Sequence, residues 1–106
     1  MIVVGLDPGL HNLGICKIRR GEEGSIEEIL DWKLEDCAVG KNATKMSIEE
    51  TINAVISSLE EMKDAIFKDV DLLAVEAQPA GRMATGNIKM KVVSHCVQTW
   101  FALRFP

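Results

Sequence analysis

Asp7 and Glu76 are the residues with which chemistry can begin. Each ends a short apolar run, Ile2-Val3-Val4 leading through Gly5-Leu6 into Asp7, and Leu72-Leu73-Ala74-Val75 leading into Glu76. A carboxylate at the end of a core strand is costly unless a cation or a set of hydrogen bonds holds it. If the two strands are neighbours, the acids converge on one point. All 16 acids of the chain lie at or before Glu76, whereas Arg82, Lys89, Lys91 and Arg104 follow it. A basic segment directly after a carboxylate strand can hold a polyanion whose phosphates approach the acids through a bridging metal. The plainer readings are an Asx turn for Asp7 with Pro8 and Gly9, a strand-end salt bridge for Glu76, and a solvated basic face for the last segment.

The elements between these residues must position them. Met1 to Leu6 is continuously apolar, as expected of a central strand covered on both faces, and it ends in the turn Asp7-Pro8-Gly9. From Leu13 to Ile18 a second strand alternates, with Lys17 and Arg19 set against Cys16 and Ile18. Gly21 to Ser25 closes a hairpin, and a third strand, Leu30 to Glu35, places Leu30, Trp32 and Leu34 on one face and Asp31, Lys33 and Glu35 on the other. The three strands form an antiparallel meander.

Ser47-Ile48-Glu49-Glu50 is a capping box that opens a helix of about five turns, with an apolar stripe of Ile48, Ile52, Val55, Ile56, Leu59, Met62 and Ile66. A helix of that length is a crossover, so the strand at Leu72 is predicted to lie parallel to the first and beside it, which brings Asp7 and Glu76 together. Gln78 to Gly86 reads as a loop. From Asn87 a second helix carries apolar residues around most of its circumference, leaving Lys91, Ser94, His95 and Gln98 on a polar strip where His95 reads as a surface histidine. So wide an apolar face calls for a second cover, either a homodimer through the helix near 88–104 or a further C-terminal part.

With 106 residues, 47% of them apolar and 26% charged, the chain is read as one globular domain over residues 1–106. No apolar run approaches ~18 residues and no basic, then apolar, leader opens the chain, so neither a membrane span nor a secretory signal is predicted. Cys16, Cys37 and Cys96 are odd in number and widely spaced, which points to reduced thiols in an intracellular, reducing compartment. Cytoplasm, nucleoid and organelle matrix are equally compatible with that pattern.

Gly5-Leu6-Asp7-Pro8-Gly9, followed by Asn12-Leu13-Gly14, resembles the first-strand motif of the RuvC-like Holliday junction resolvases, and Val75-Glu76-Ala77-Gln78 resembles their second acidic motif. Asn87-Ile88-Lys89-Met90-Lys91 before an apolar helix is similar to the branch found in large DNA viruses and fungal mitochondria. The resemblance extends over essentially the whole chain. It implies an α/β, ribonuclease H-like fold: a three-stranded antiparallel meander, a crossover helix, a parallel fourth strand and a second helix, with the fifth strand and last helix of that fold missing. It also implies a Mg2+-dependent endonuclease, with Mn2+ as a substitute, that cuts four-way DNA junctions in recombination, repair or genome processing.

By the same resemblance Asp7 and Glu76 are catalytic and metal-binding, and Lys89, Lys91, Arg82 and Gln78 contact DNA. Met83 reads either as a plain loop residue or as an apolar wedge for branched DNA, while Gly14 permits close packing beside the acid turn and Asn12 fixes that turn. The working form is a homodimer, because two symmetric nicks need two sites related by a two-fold axis. One departure stands out: resolvases of this type carry further acids on a C-terminal helix, and no acid follows Glu76 here. The chain is therefore expected to be a fragment or truncated member with little activity alone. Three other readings stay open: an ATPase fragment of the actin and sugar-kinase type, a RuvC-like factor for ribosomal RNA maturation, and a non-catalytic nucleic-acid-binding or dimerisation module of the same fold.

Overall fold

Leu13 and Ile15 decide which way the sheet faces. The computed structural model describes residues 1–76 and 88–106, so the expected roles of Gln78, Arg82 and Met83 lie outside the described residues. Strands β1 (Ile2–Asp7), β2 (Leu13–Arg20) and β3 (Ile26–Glu35) form the antiparallel meander, helix α1 (Ile48–Met62) crosses over, β4 (Leu72–Val75) returns parallel to β1, and helix α2 (Ile88–Arg104) follows. The sheet order is β3-β2-β1-β4, the order expected for the first four strands of a ribonuclease H-like fold. Val4 and Leu6 of β1 and Leu13 and Ile15 of β2 share the face that meets both helices, where Val55 and Leu59 of α1 and Val93 and Val97 of α2 close the core.

That packing reverses the expected orientation of β2. Leu13 and Ile15 lie in the same period-two row as Lys17, so burying them carries Lys17 inward to 7% exposure, while Cys16 and Ile18 turn to the other face. Lys17 is accommodated because its Nζ donates to Asp69 at 2.6 Å. The same register overturns the expected inner face of β3: Trp32 lies opposite Cys16 and Leu34 opposite Gly14, leaving them 75% and 69% exposed on the face away from the helices.

The predicted capping box is present. Ser47 Oγ accepts from the Glu50 N–H, and Glu50 Oε1 accepts from the Ser47 N–H, each at 3.0 Å. The helix is turned about its axis from the expected stripe, however, so that Thr51, Val55, Ser58, Leu59 and Met62 are buried while Ile48 and Ile56 are exposed. Thr51 and Ser58 are buried among these apolar residues, and Thr51 Oγ1 satisfies itself on the Ser47 carbonyl at 2.9 Å. α1 also ends earlier than the predicted helix, passing into a wide π turn over Lys63–Phe67 that buries both Ile66 and Phe67.

On α2, Val93, Val97, Trp100 and Phe101 are buried, and Ser94 joins them instead of lying on the polar strip. The apolar face is thus largely covered within the chain, although Ile88 and Leu103 remain exposed. Phe67, Trp100 and Phe101 meet edge to face at 4.8 to 5.8 Å. Glu60 of α1 accepts from Trp100 Nε1 at 2.8 Å and from Arg104 Nε at 2.6 Å, tying the two helices together.

Two stability measurements check this packing. Leu59→Ala, at a fully buried position, is expected to cost about 2–5 kcal/mol. Asp69→Asn leaves Lys17 facing inward without its anion and is expected to cost about 1 kcal/mol, because the carboxylate end is solvated. The hydrogen bond from Lys17 holds the Asp69 carboxyl below its ordinary value of 3.8, so the contribution is present above that pH and disappears as pH falls through the lowered folded value. Urea unfolding of wild type and Asp69→Asn should therefore differ at neutral pH and converge in acid.

Candidate active site

Backbone hydrogen bonds bring the two acids together. In the parallel β1–β4 ladder Leu6 lies opposite Val75, and the Glu76 N–H donates to the Leu6 carbonyl at 2.8 Å. At the other end of the ladder Asp71 Oδ2 accepts from the Ile2 N–H, and the Asp71 N–H donates to the Ile2 carbonyl, both at 2.8 Å. With both ends fixed, Asp7 and Glu76 emerge level with one another at the carboxyl ends of adjacent parallel strands, the place where open α/β sheets bind ligands. Opposite Asp7 on β2 stands Gly14, and a Cβ there would lie 3.3 Å from the Asp7 Cβ, so glycine keeps room beside the acid as expected. Gly9 keeps the following turn tight, since a Cβ on it would meet the Asn12 carbonyl oxygen at 2.6 Å.

The Asp7 and Glu76 side chains lie within hydrogen-bonding reach of each other. That contact, followed by the repulsion of the Asp7 charge, raises the Glu76 carboxyl above its ordinary value of 4.5. Two neighbouring carboxyls behave in this way. Glu76 also stands where two hollows meet. A trough of about 540 Å³ runs over the open sheet face past Asp7, Gly5, Gly14, Trp32 and Leu34. A cleft of about 570 Å³ runs between β4 and α2, lined by Leu73, Val75, Lys91, Ser94, His95 and Gln98.

Of the basic residues expected to meet DNA, Lys91 is exposed and lines the cleft beside Glu76. Lys89 points elsewhere, its Nζ donating to the Ala43 carbonyl in the short 3-10 turn before α1. Ser94 Oγ accepts from Gln98 Nε2 at 3.2 Å, and His95 is exposed one turn beyond Lys91.

Mg2+ prefers carboxylate oxygens and keeps several waters. The mutually repelling Asp7–Glu76 pair fits one such cation, completed by water. Among the described residues no group of three or more His, Cys, Asp and Glu side chains could hold a metal ion, so the protein ligands of a closely shared two-metal site are not assembled there.

Sequence reasoning overlooked two polar residues beside the Asp7 turn. His11 Nδ1 and Asp36 Oδ1 lie 3.0 Å apart, and Asp36 in turn accepts from the N–H groups of Ala38, Val39 and Gly40. The readable signal was Asp36 followed four residues later by Gly40, an acid-capped turn.

No protein-family model and no curated protein matches the sequence. Solved structures do match. RuvC of Thermus thermophilus superposes with a TM-score of 0.69 at 19% identity, over 97% of this chain and 58% of its own. The same protein in complex with Holliday junction substrate gives 0.70 at 18% identity, over 97% of this chain and 60% of its own. The yeast mitochondrial Holliday junction resolvase Ydc2 gives 0.64 at 16% identity, over 97% and 43%. The chain thus spans between 43% and 60% of the length of these structures. What they share at such identities is architecture: this chain has the ribonuclease H-like fold of the RuvC-type resolvases.

Proposed function

We propose that the chain is the metal-binding and DNA-engaging part of a Holliday junction resolvase, an endonuclease that hydrolyses phosphodiester bonds in branched DNA. The observation that carries this reading is the convergence of Asp7 and Glu76, with Glu76 raised by its neighbour's charge, at the ends of adjacent parallel strands in a fold shared with RuvC. Asp7 and Glu76 would hold Mg2+, or Mn2+ in its place. Bound there, the cation would supply Lewis acidity toward a phosphate oxygen and a bound water more acidic than bulk water.

The chain's own residues do the remainder. Glu76 would serve as a ligand in its ionised form. Lys91 presents an ammonium in the cleft beside it for phosphate oxygens. Lys89 would reach phosphate after exchanging its bond to the Ala43 carbonyl, and Gln78 and Arg82, outside the described residues, are proposed as further DNA contacts. Symmetric nicking of a four-way junction calls for two copies, with α2 as the expected contact. Cys16, Cys37 and Cys96 are free thiols, in keeping with work inside a reducing compartment. Since two carboxylates alone converge among the described residues, strong cleavage by this chain by itself is not expected. The same observation favours a second reading, a module that binds branched DNA without cutting it.

A labelled four-way junction tests both. Under the resolvase reading, Mg2+ brings weak cleavage that Asp7→Asn removes, with junction binding retained. Binding that ignores Mg2+, without cleavage, hands the assignment to the binding module. Neither binding nor cleavage overturns both.

A metal-free measurement probes the acid pair directly. A carboxyl whose folded value is raised contributes stability that is full below the unfolded value and lost as pH rises through the folded one. In EDTA, Glu76→Gln, which keeps the neutral hydrogen bond, should therefore melt above wild type at neutral pH and match it below pH 4.5. Added Mg2+ should raise the wild-type melting temperature and leave that of Glu76→Gln unchanged.

A further inference from the structure

We infer that His11 and Asp36 form a clamp that holds the turn following Asp7, which makes both of them positioning residues for the carboxylate pair; this rests on reading Asp7 and Glu76 as metal ligands. β1 ends at Asp7, and its last ladder partner is Gly14, which has no side chain to steady it. A five-residue connection, 8–12, then leads to the start of β2 at Leu13. Two adjacent contacts fasten it to the segment after β3. The buried Leu10 presents its carbonyl to the Cys37 N–H at 2.8 Å. Next along the chain, His11 Nδ1 lies 3.0 Å from Asp36 Oδ1, and since an ionised carboxylate only accepts, Nδ1 carries the proton.

The far side of the clamp is itself braced. Asp36 Oδ1 also accepts from the N–H groups of Ala38 and Val39 at 3.0 and 3.1 Å, and Oδ2 accepts from the Gly40 N–H at 3.0 Å. These bonds stabilise a loop in which Val39 adopts φ 52° and Gly40 φ 78°. A β-branched residue in the left-handed region is strained and persists only where its surroundings fix it. Asp36 is the group that fixes it here. Partial desolvation pushes the Asp36 carboxyl up, but the Gly40 N–H and His11 outweigh that and hold it below 3.8, so it stays ionised at neutral pH.

Both side chains are about 40% exposed, at 39% and 44%, so the pair adds little to global stability. Its effect is local. With Leu10 and His11 both anchored, the peptide leaving Asp7 has one path, and the carboxylate is held where Glu76 meets it.

The test compares wild type with His11→Ala, His11→Gln, Asp36→Asn and the double variant His11→Ala/Asp36→Asn. Amide hydrogen exchange across residues 9–13 is followed by NMR, Mn2+ affinity by calorimetry and stability by thermal melting. His11→Ala is expected to speed exchange in the turn by about tenfold and weaken Mn2+ binding by roughly tenfold. The melting temperature should fall by at most about 5 °C. His11→Gln, whose amide can donate to Asp36, should recover most of both losses, and the double variant should be no worse than Asp36→Asn. Unchanged exchange and affinity in His11→Ala, or a glutamine variant as impaired as alanine, overturns the clamp. Mn2+ binding that survives Asp7→Asn overturns the metal reading instead, and turn exchange alone then decides whether the clamp stands.

Discussion

Parallel pairing of β1 with β4 sets Leu6 against Val75, and the two-residue period of a strand then leaves no freedom in where Asp7 and Glu76 point. Val4, Leu6, Leu73 and Val75 turn toward the helices, so Gly5, Asp7, Ala74 and Glu76 turn away from them. A slip of one residue would exchange the two sets and drive a carboxylate into the core. Asp71 bonds the start of this ladder and the Glu76 N–H bonds its end, so the register is held at both limits. The site is thus a consequence of packing four apolar side chains, Val4 and Leu6 buried and Leu73 and Val75 partly so, on the opposite face.

Its cost follows from the same geometry. Held beside Asp7, Glu76 keeps its proton to higher pH than an isolated glutamate. The fold tolerates this because its stability lies elsewhere, in the Phe67–Trp100–Phe101 cluster, in the Glu60 contacts that join α1 to α2, and in the capping box at Ser47. A destabilised acid pair on a well-anchored ladder gives a cation something to relieve, whereas a relaxed pair would offer it less.

How far this was legible from sequence depends on distance along the chain. Strand order, the crossover and the meeting of Asp7 with Glu76 follow from apolar runs and helix length, which are local signals. The face of β2 was misread because both of its rows contain apolar residues. Choosing between them requires knowing that Lys17 finds Asp69, 52 residues away. The α1 stripe was misread for a related reason: Ile48 and Ile56 look like core, but the helix buries Thr51 and Ser58 instead, and which side turns inward is decided by the elements it packs against. His11 and Asp36 escaped because nothing in either neighbourhood announces a contact 25 residues apart across two loops.

The two lysines at the start of α2 show why helical angle, and not charge alone, decides what reaches the acids. Positions 89 and 91 are separated by about 200° around a helix axis, so their side chains leave on nearly opposite sides. Lys89 goes to the Ala43 carbonyl near α1, and Lys91 goes to the cleft beside Glu76. Among the described residues one ammonium, that of Lys91, therefore lines that cleft beside Glu76, with Asp7 on the adjoining trough. Under the proposed resolvase reading, a DNA strand nearing Glu76 by this route would meet carboxylate charge that a divalent ion offsets, so metal binding before nucleic acid is the order that reading favours.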